Sequence, residues 1–203
     1  LTSLDGYFQL IEECDNIDDQ RRYLDIIRER INSLNEMLEE LFTFTKLKND
    51  SYKLELTDCC MNRILKEAVF SYYDEWKKQG ICPDISITEE MLYISGNKQG
   101  LRRVIQNVIK NGLDHGKKNI SIKLTREDNY ALLKISNYAE HPENIDLSHV
   151  FERFYKADVA RGRASTGLGL SIAKELVERM NGDISARIKG NDFIIEIKVL
   201  LVV

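Results

Sequence analysis

The sequence predicts an α+β fold, with a helical hairpin over residues 1–50 followed by a mixed α/β sandwich over residues 51–203 whose helices cover one sheet face. Apolar residues in the first 50 positions recur at helical spacing. Later in the chain, helical segments are separated by short stretches in which apolar and polar residues alternate, as they do in strands. The charge balance changes at nearly the same point, because residues 1–56 hold 7 basic and 13 acidic side chains and residues 57–203 hold 22 and 20.

The overall composition excludes several classes of protein. Among the 203 residues, 43% are hydrophobic, 31% are charged and only 2 are proline, which is typical of a globular chain and not of a disordered one. The net charge of −4 lacks the Lys/Arg excess of proteins that bind phosphate backbones, so we expect no nucleic-acid partner. No apolar run approaches the roughly 20 residues that a membrane-spanning helix requires.

The first 50 residues predict two helices joined by a polar turn at residues 15–19. In the second helix, apolar residues recur at alternating steps of three and four, the spacing of a narrow seam in coiled coils and four-helix bundles. Two helices cannot bury such a seam well, so we expect two copies of the chain to complete a four-helix bundle. The alternative is that the long helix packs on the rest of its own chain. The seam residues are Leu24, Ile27, Ile31, Leu34, Leu38 and Leu41.

From residue 51 onward, strand-like and helical patterns follow one another. Alternation over residues 52–56 predicts a strand, and Asp58 is placed to cap a helix that Gly80 ends. Apolar residues at helical spacing predict two more helices, over residues 98–113 and 167–180. Alternation predicts a hairpin of residues 120–124 and 131–135, and further strands at 85–87, 91–95, 184–188 and 193–199.

Two asparagines on the predicted 98–113 helix indicate a polar ligand. Asn107 and Asn111 are four residues apart and share one helix face, although asparagine is a poor helix former. Their amide oxygens suit a hard cation such as Mg²⁺, which prefers oxygen ligands and bridges to phosphate groups. The alternative is a pair of exposed asparagines without a ligand.

A glycine-containing segment, Ser165-Thr166-Gly167-Leu168-Gly169-Leu170, opens the predicted 167–180 helix. Glycines let a ligand approach the backbone, and free N–H groups at a helix N-terminus favour phosphate. The preceding Arg161, Gly162 and Arg163 are typical of a mobile lid over an anion or, alternatively, of a solvated loop. The chain lacks the G-x-x-x-x-G-K-[ST] phosphate loop and the protein-kinase motif set, which excludes those nucleotide folds.

Three motifs in a fixed order carry a resemblance to a known family. Residues 107–116 (NVIKNGLDHG) resemble the N box of the sensor histidine kinases of two-component systems. Residues 151–158 (FERFYKAD) are similar to their F box, and residues 165–174 (STGLGLSIAK) to their G2 box. Residues 1–7 resemble the segment that follows their phosphoacceptor motif. The resemblance spans the whole chain and implies a Bergerat-type ATP-binding domain behind a dimerising hairpin.

The resemblance also implies roles for individual residues. Asn111 would hold Mg²⁺, Asn107 would contact Mg²⁺ or phosphate, and Asn137 would read adenine. His115 would lie near ribose or phosphate, or alternatively would only complement the dipole at a helix C-terminus. Backbone N–H groups after Thr166 would cradle phosphates that Lys156 could reach. The expected nucleotide-binding residues are Asn107, Asn111, His115, Asn137, Lys156, Thr166, Gly167, Leu168 and Gly169.

Three departures from the family pattern stand out. Asn137 replaces the aspartate that accepts the adenine amino proton in the family, which predicts weaker adenine readout because a charged acceptor forms the stronger bond. Asp114 stands where a basic residue is common, so Lys110, Lys117 or Lys156 would neutralise phosphate instead. No histidine precedes His115, so the phosphoacceptor is expected upstream of Leu1 and no catalytic residue is assigned within the chain.

The resemblance implies the cytoplasmic kinase core of a two-component sensor histidine kinase. ATP with Mg²⁺ would give its γ-phosphoryl group to a histidine, and an aspartate on a response-regulator receiver domain would accept it next. The partners would be a second copy of the chain and that regulator, with plasma-membrane anchoring only through an upstream segment. The alternatives are a pseudokinase-like dimeric scaffold that binds nucleotide weakly and an ATP-hydrolysing clamp of the same ATP-binding fold.

Overall fold

The computed structural model describes residues 2–14, 16–49, 52–115, 119–156 and 166–202. Within these ranges, six α-helices and seven β-strands follow one another in the order that an α+β fold requires. They are α1 (Thr2–Glu13), α2 (Ile17–Lys48), β1 (Thr57–Cys60), α3 (Met61–Phe70), α4 (Tyr73–Gln79), β2 (Asp84–Ile87), β3 (Tyr93–Gly96), α5 (Lys98–His115), β4 (Ser121–Glu127), β5 (Tyr130–Tyr138), α6 (Gly169–Arg179), β6 (Asp183–Lys189) and β7 (Asp192–Leu200), with a 3₁₀ turn at Pro142–Asn144.

The helical hairpin is closed by polar side chains at its turn. Asn16 caps α2, because its Oδ1 accepts the backbone N–H of Asp18 at 2.9 Å. Gln20 Nε2 donates to the carbonyl oxygens of Ile11 and Cys14, at 3.4 and 2.5 Å, and so satisfies the C-terminal end of α1. These contacts hold α1 and α2 as antiparallel neighbours, as the sequence predicts. None of the described helices is both long and apolar enough to cross a membrane.

The apolar seam of α2 stays at the surface of the single chain. Five of its six residues are 40–63% exposed, and only Ile27 is buried, at 4%. Burial of the seam by the chain itself therefore does not occur over most of its length, and the four-helix bundle of two chains remains a prediction. The exposed members are Leu24, Ile31, Leu34, Leu38 and Leu41.

The last turns of α2, in contrast, pack on the second part of the chain. Leu47 is buried in its core, and Lys48 Nζ lies 3.3 Å from Glu175 Oε2 on α6. Arg179 donates to the carbonyl oxygens of Leu47 and, at 2.8 Å, of Tyr52. Partial burial works to raise the pKa of Glu175, but the hydrogen bonds from Arg179 and Lys48 outweigh it and lower that pKa.

A five-stranded mixed sheet in the order β2-β4-β5-β7-β6 forms the centre of the second part. Strand β2 runs parallel to β4, and the other neighbours are antiparallel. Helices α5 and α6 pack on each other over one face, with α3 against α5. The predicted mixed sheet with helices on one face is confirmed. Its core includes Ile122, Leu133 and Ile197 of the sheet and Ile109 and Ile172 of the helices.

Two local predictions near the start of this part are wrong. Residues 52–56 are not a strand, and Asp58 lies in β1 instead of capping a helix. Strand β1 pairs antiparallel with β3, Cys59 opposite Ile94, and the Met61 N–H donates to the Leu92 carbonyl at 2.9 Å. These long-range partners determine that the strand forms at Thr57–Cys60, although the local alternation predicts it at residues 52–56. Gly80, with φ +65°, ends a helix as predicted, but the one helix predicted before it is two, α3 and α4, which Ser71 and Tyr72 separate.

Candidate functional site

The two asparagines of α5 have different surroundings. Asn107 is only 8% exposed, and its Nδ2 donates to the carbonyl oxygen of Gly169 in the first turn of α6 at 2.9 Å. Since the amide nitrogen is engaged, the Oδ1 of Asn107 is the atom left to accept or coordinate. Asn111, one turn later, is half-buried. The alternative of two exposed asparagines is therefore wrong for Asn107 as far as its exposure is concerned.

Asn137 lies at the end of β5 against the last turns of α5. It is 6% exposed, and its Nδ2 makes a long hydrogen bond of 3.3 Å to the carbonyl oxygen of Tyr138. A Cβ added at Gly112 would lie 3.5 Å from Asn137 Cβ and 3.6 Å from its Oδ1. Gly112, which follows Asn111 in the sequence, thus allows the strand end and the helix to approach closely, with Asn137 packed on Gly112.

The entry to α6 is held between the 151–156 segment and α5. Gly167 has φ +71°, and an added Cβ would lie 2.9 Å from Phe154 Cα and C and from the Tyr155 carbonyl oxygen. The Phe154 N–H donates to the Gly167 carbonyl at 3.0 Å. The Leu168 N–H donates to Thr166 Oγ1 at 3.1 Å. The F-box-like and G2-box-like segments are therefore in direct contact, and glycine is required where they meet.

Charged groups from α2 face this site. Lys110 Nζ lies 2.5 Å from Glu36 Oε2, and Thr166 Oγ1 donates to Glu40. Partial burial works to lower the pKa of Lys110, but Glu36, followed by Asp114 and Glu40, raises it above its ordinary value. Lys110 is thus a fully charged ammonium group at neutral pH, directly before Asn111 in the sequence of α5.

A half-buried tyrosine supports α5 behind the site. The Tyr72 hydroxyl donates to the carbonyl oxygen of Gln106 at 3.2 Å. Burial, followed by the negative charges of Asp114 and Glu36, raises the pKa of Tyr72 to about 12. The hydroxyl therefore stays neutral at physiological pH and keeps donating to the helix backbone.

Other expected residues lie at the limit of the described part of the chain or outside it. Lys156 is half-buried at the end of the 151–156 segment. The His115 side chain lies outside the described part, as do Lys117, Arg161, Gly162 and Arg163. His141 and His149 are exposed at the surface. Within the described ranges, no cluster of three or more His, Cys, Asp or Glu side chains suits a metal ion.

Sequence reasoning missed the glutamates of α2 that reach the site. Glu36 and Glu40 are four residues apart, so they share one helix face next to the apolar seam, and this spacing was their only signal. Their contacts with Lys110 and Thr166 span 74 and 126 residues, distances over which sequence periodicity carries no information.

The site can chelate a hard cation and bind an anion. Amide oxygens from Asn107 and Asn111 fit a Mg²⁺ ion that keeps most of its waters and bridges to phosphate. Lys110 provides positive charge, and the glycine-containing start of α6 offers backbone N–H groups. Asn137 donates to the Tyr138 carbonyl through Nδ2, so its Oδ1 is the atom that can accept from a ligand amino group.

Known proteins are similar to this chain in sequence and in fold. Residues 96–201 match the family described as histidine kinase-, DNA gyrase B- and HSP90-like ATPase. The chain is 30% identical over 195 residues to the sensor histidine kinase YcbM of Bacillus subtilis, a match that covers 93% of the chain and 63% of that protein. It is 28% identical over 197 residues to the sensor protein VanS of Enterococcus faecium, covering 94% and 51%. The chain thus spans about half to two thirds of these relatives.

Solved structures of histidine kinases have the same fold. ShkA in complex with AMPPNP superposes with a TM-score of 0.75 at 18% identity, covering 98% of this chain and 43% of that one. ThkA in complex with the response regulator TrrA gives 0.77 at 17% identity, covering 99% and 57%. At these identities the likeness concerns the fold, and it includes the hairpin. The chain therefore belongs to the histidine kinase-, DNA gyrase B- and HSP90-like ATPase family and carries the catalytic domain of a sensor histidine kinase.

Proposed function

We propose that this chain is the kinase core of a two-component sensor histidine kinase. It binds ATP with Mg²⁺ between α5, the end of β5 and the start of α6, and it delivers the γ-phosphoryl group to a histidine. The observation that supports the proposal is that Asn107 is bonded to Gly169 at the start of α6, while Asn137 at the end of β5 packs on Gly112, the residue after Asn111 in α5. A response-regulator aspartate receives the phosphoryl group next, and ThkA, with its bound regulator, has this fold.

Individual residues then have separate roles in binding the nucleotide. Asn137 accepts the adenine amino proton with Oδ1, and Asn111 and Asn107 offer oxygens to Mg²⁺. When bound, Mg²⁺ neutralises phosphate charge, the main electrostatic demand of phosphoryl transfer. The start of α6 binds phosphate oxygens through the N–H groups of 167–169, and Thr166, Lys156 and Lys110 line that end of the site. His115, the last residue of α5, is assigned to the ribose or the phosphates of the nucleotide.

The acceptor histidine and the second chain complete the proposal. The exposed seam of α2 packs against the same seam of another chain, giving a four-helix bundle. The acceptor histidine lies on the hairpin upstream of Leu1, and the whole protein acts from the cytoplasmic side of a membrane. A likeness that covers the hairpin as well as the ATPase domain favours a kinase over an ATP-hydrolysing clamp.

Titration of the chain with ATP, with and without Mg²⁺, tests the proposal by calorimetry. Binding is expected to depend on Mg²⁺, and Asn111→Ala is expected to weaken it at least about tenfold, since a lost ligand to a charged group costs about 1.5–3 kcal/mol. Asn32→Ala, at an exposed position of α2, is the matched control and should bind like the parent chain.

A longer form that restores the upstream histidine separates a kinase from a nucleotide-binding scaffold. It is expected to form acid-labile phosphohistidine, and Asn111→Ala should abolish that product. ATP binding without phosphohistidine in the longer form would instead identify a pseudokinase-like scaffold. Absence of ATP binding in the 203-residue chain would refute the proposed site itself.

A further inference from the structure

Acidic side chains of α2 contact the groups that are proposed to bind the phosphates of ATP. Glu36 Oε2 lies 2.5 Å from the ammonium group of Lys110, which is one turn after Asn107 and directly before Asn111 in the sequence of α5. One turn later on α2, Glu40 accepts the hydroxyl proton of Thr166. A helix of 32 residues thus presents two carboxylates, in register, to the phosphate end of the proposed site.

The second contact also reaches the backbone of the phosphate-binding segment. Thr166 Oγ1 donates to Glu40 and at the same time accepts the Leu168 N–H at 3.1 Å. That N–H group is one of those that the proposed function assigns to phosphate oxygens. With α2 in this position, the site therefore holds carboxylates and an internal hydrogen bond where anionic phosphates are to bind.

We propose that α2 docks on the nucleotide site as an anionic competitor of the ATP phosphates. This inference rests on the proposed function and adds a regulatory contact to it. Phosphates and the two carboxylates cannot share Lys110 and Thr166, since like charges in one site repel. ATP binding therefore requires the Glu36 and Glu40 side chains to leave, and any movement that lifts α2 off α5 raises the affinity for ATP.

The strength of the contact suits a reversible switch. The Lys110 and Glu36 side chains are 40% and 60% exposed, and such ion pairs contribute little stability each. The C-terminal end of α2 is fixed more firmly, by Arg179 on the Leu47 carbonyl and by Arg153 over the Phe44 ring at 4.7 Å. Helix α2 can therefore leave the site at Glu36 and Glu40 while it stays attached beyond Phe44.

Removal of the two carboxylates tests the inference. Glu36→Ala combined with Glu40→Ala removes both acceptors and keeps a strong helix former at each position. If only about a tenth of the molecules have α2 away from the site, freeing the rest raises the apparent affinity on the order of tenfold. The measurement is calorimetric titration of the full 203-residue chain with Mg²⁺-ATP.

The matched control removes two other acidic residues of the hairpin. Glu12→Ala with Glu29→Ala changes the net charge equally, at exposed positions away from the contact, and is expected to leave the affinity unchanged. Equal affinity of the Glu36/Glu40 variant and the parent chain would overturn this inference and leave the proposed function intact, as would an equal gain in the control. Absence of ATP binding in all three proteins would overturn the proposed function and this inference with it.

Discussion

The replacement Asn137→Asp tests the adenine end of the site. Asn137 lies buried at the end of β5 beside Gly112, in the position where the family resemblance expects an aspartate. The change restores a charged acceptor for the exocyclic amino group of adenine and alters no side-chain size. We expect tighter binding of Mg²⁺-ATP.

The size of the gain follows from opposing terms. Hydrogen bonds to charged groups are worth about 1.5–3 kcal/mol against about 0.5–1.5 for neutral ones, so the new bond gains about 1 kcal/mol, or about fivefold in affinity. Against this, the introduced carboxylate is desolvated and loses the Nδ2 bond to the Tyr138 carbonyl, which it then repels. The C-terminal dipole of α5 and the charge of Asp114 oppose it as well. A net gain of about two- to fivefold remains.

The same terms give the sign of the pH dependence. Burial and nearby negative charge raise the pKa of the introduced carboxyl group in the folded protein. The gain in ATP affinity is therefore present above that raised pKa and disappears as the pH falls through it, where the group becomes protonated. The parent chain, with its neutral amide, should lack this acid-side loss.

Titration of ATP and GTP against both proteins is the assay, with Asn144→Asp at an exposed position as the control for added charge. Guanine presents a carbonyl where adenine presents its amino group, so Asn137→Asp should also increase the preference for ATP over GTP. Unchanged affinity together with unchanged base preference would refute the assignment of Asn137 to the base.

Two further predictions concern assembly and the α6 entry. Leu38→Glu places a charge in the exposed seam and should weaken the dimer, measured by sedimentation, on the order of 100-fold or more. Leu147→Glu, in an exposed loop, is the control and should not weaken it. A parent chain that is monomeric at tens of micromolar contradicts the bundle. Gly167→Ala combines a positive φ with an overlap between the new Cβ and the backbone, and it should lower the free energy of unfolding by about 2–3 kcal/mol, or about 4–10 °C in Tm. Gly190→Ala, with φ +61° and open space around the new Cβ, measures the cost of the positive φ alone. Equal losses of stability in the two variants would disprove the overlap at Gly167.

The sequence predicts those parts of the fold that local patterns determine. The 98–113 helix appears as α5 (Lys98–His115) because its apolar residues follow the helical period, and the 120–135 hairpin appears as β4 and β5 for the corresponding reason in strands. The pair Asn107 and Asn111 stood out because asparagine is unfavourable in a helix unless something polar engages it. The amide bond from Asn107 to Gly169 is that polar partner.

Other features depend on partners far along the chain. Strand β1 forms at Thr57–Cys60 because β3 pairs with it, although residues 52–56 alternate more clearly. Phe154 adopts φ +61°, which no propensity of phenylalanine favours, because its N–H reaches the carbonyl of Gly167. Glu36 and Glu40 have the spacing of any solvated helix face, and only their position opposite α5 shows what they contact.

Helix α6 connects the hairpin to the nucleotide site. Its first residue, Gly169, holds the amide of Asn107, and its last residue, Arg179, holds the carbonyl of Leu47 at the end of α2. Eleven residues of α-helix span about 16 Å and behave as a rigid rod, so both contacts belong to one body. A displacement of the last turns of α2 must therefore either break the Arg179 contact or carry α6 with it. In the second case the Asn107 bond to Gly169 is strained, and the Asn107 side chain changes its position at the proposed site.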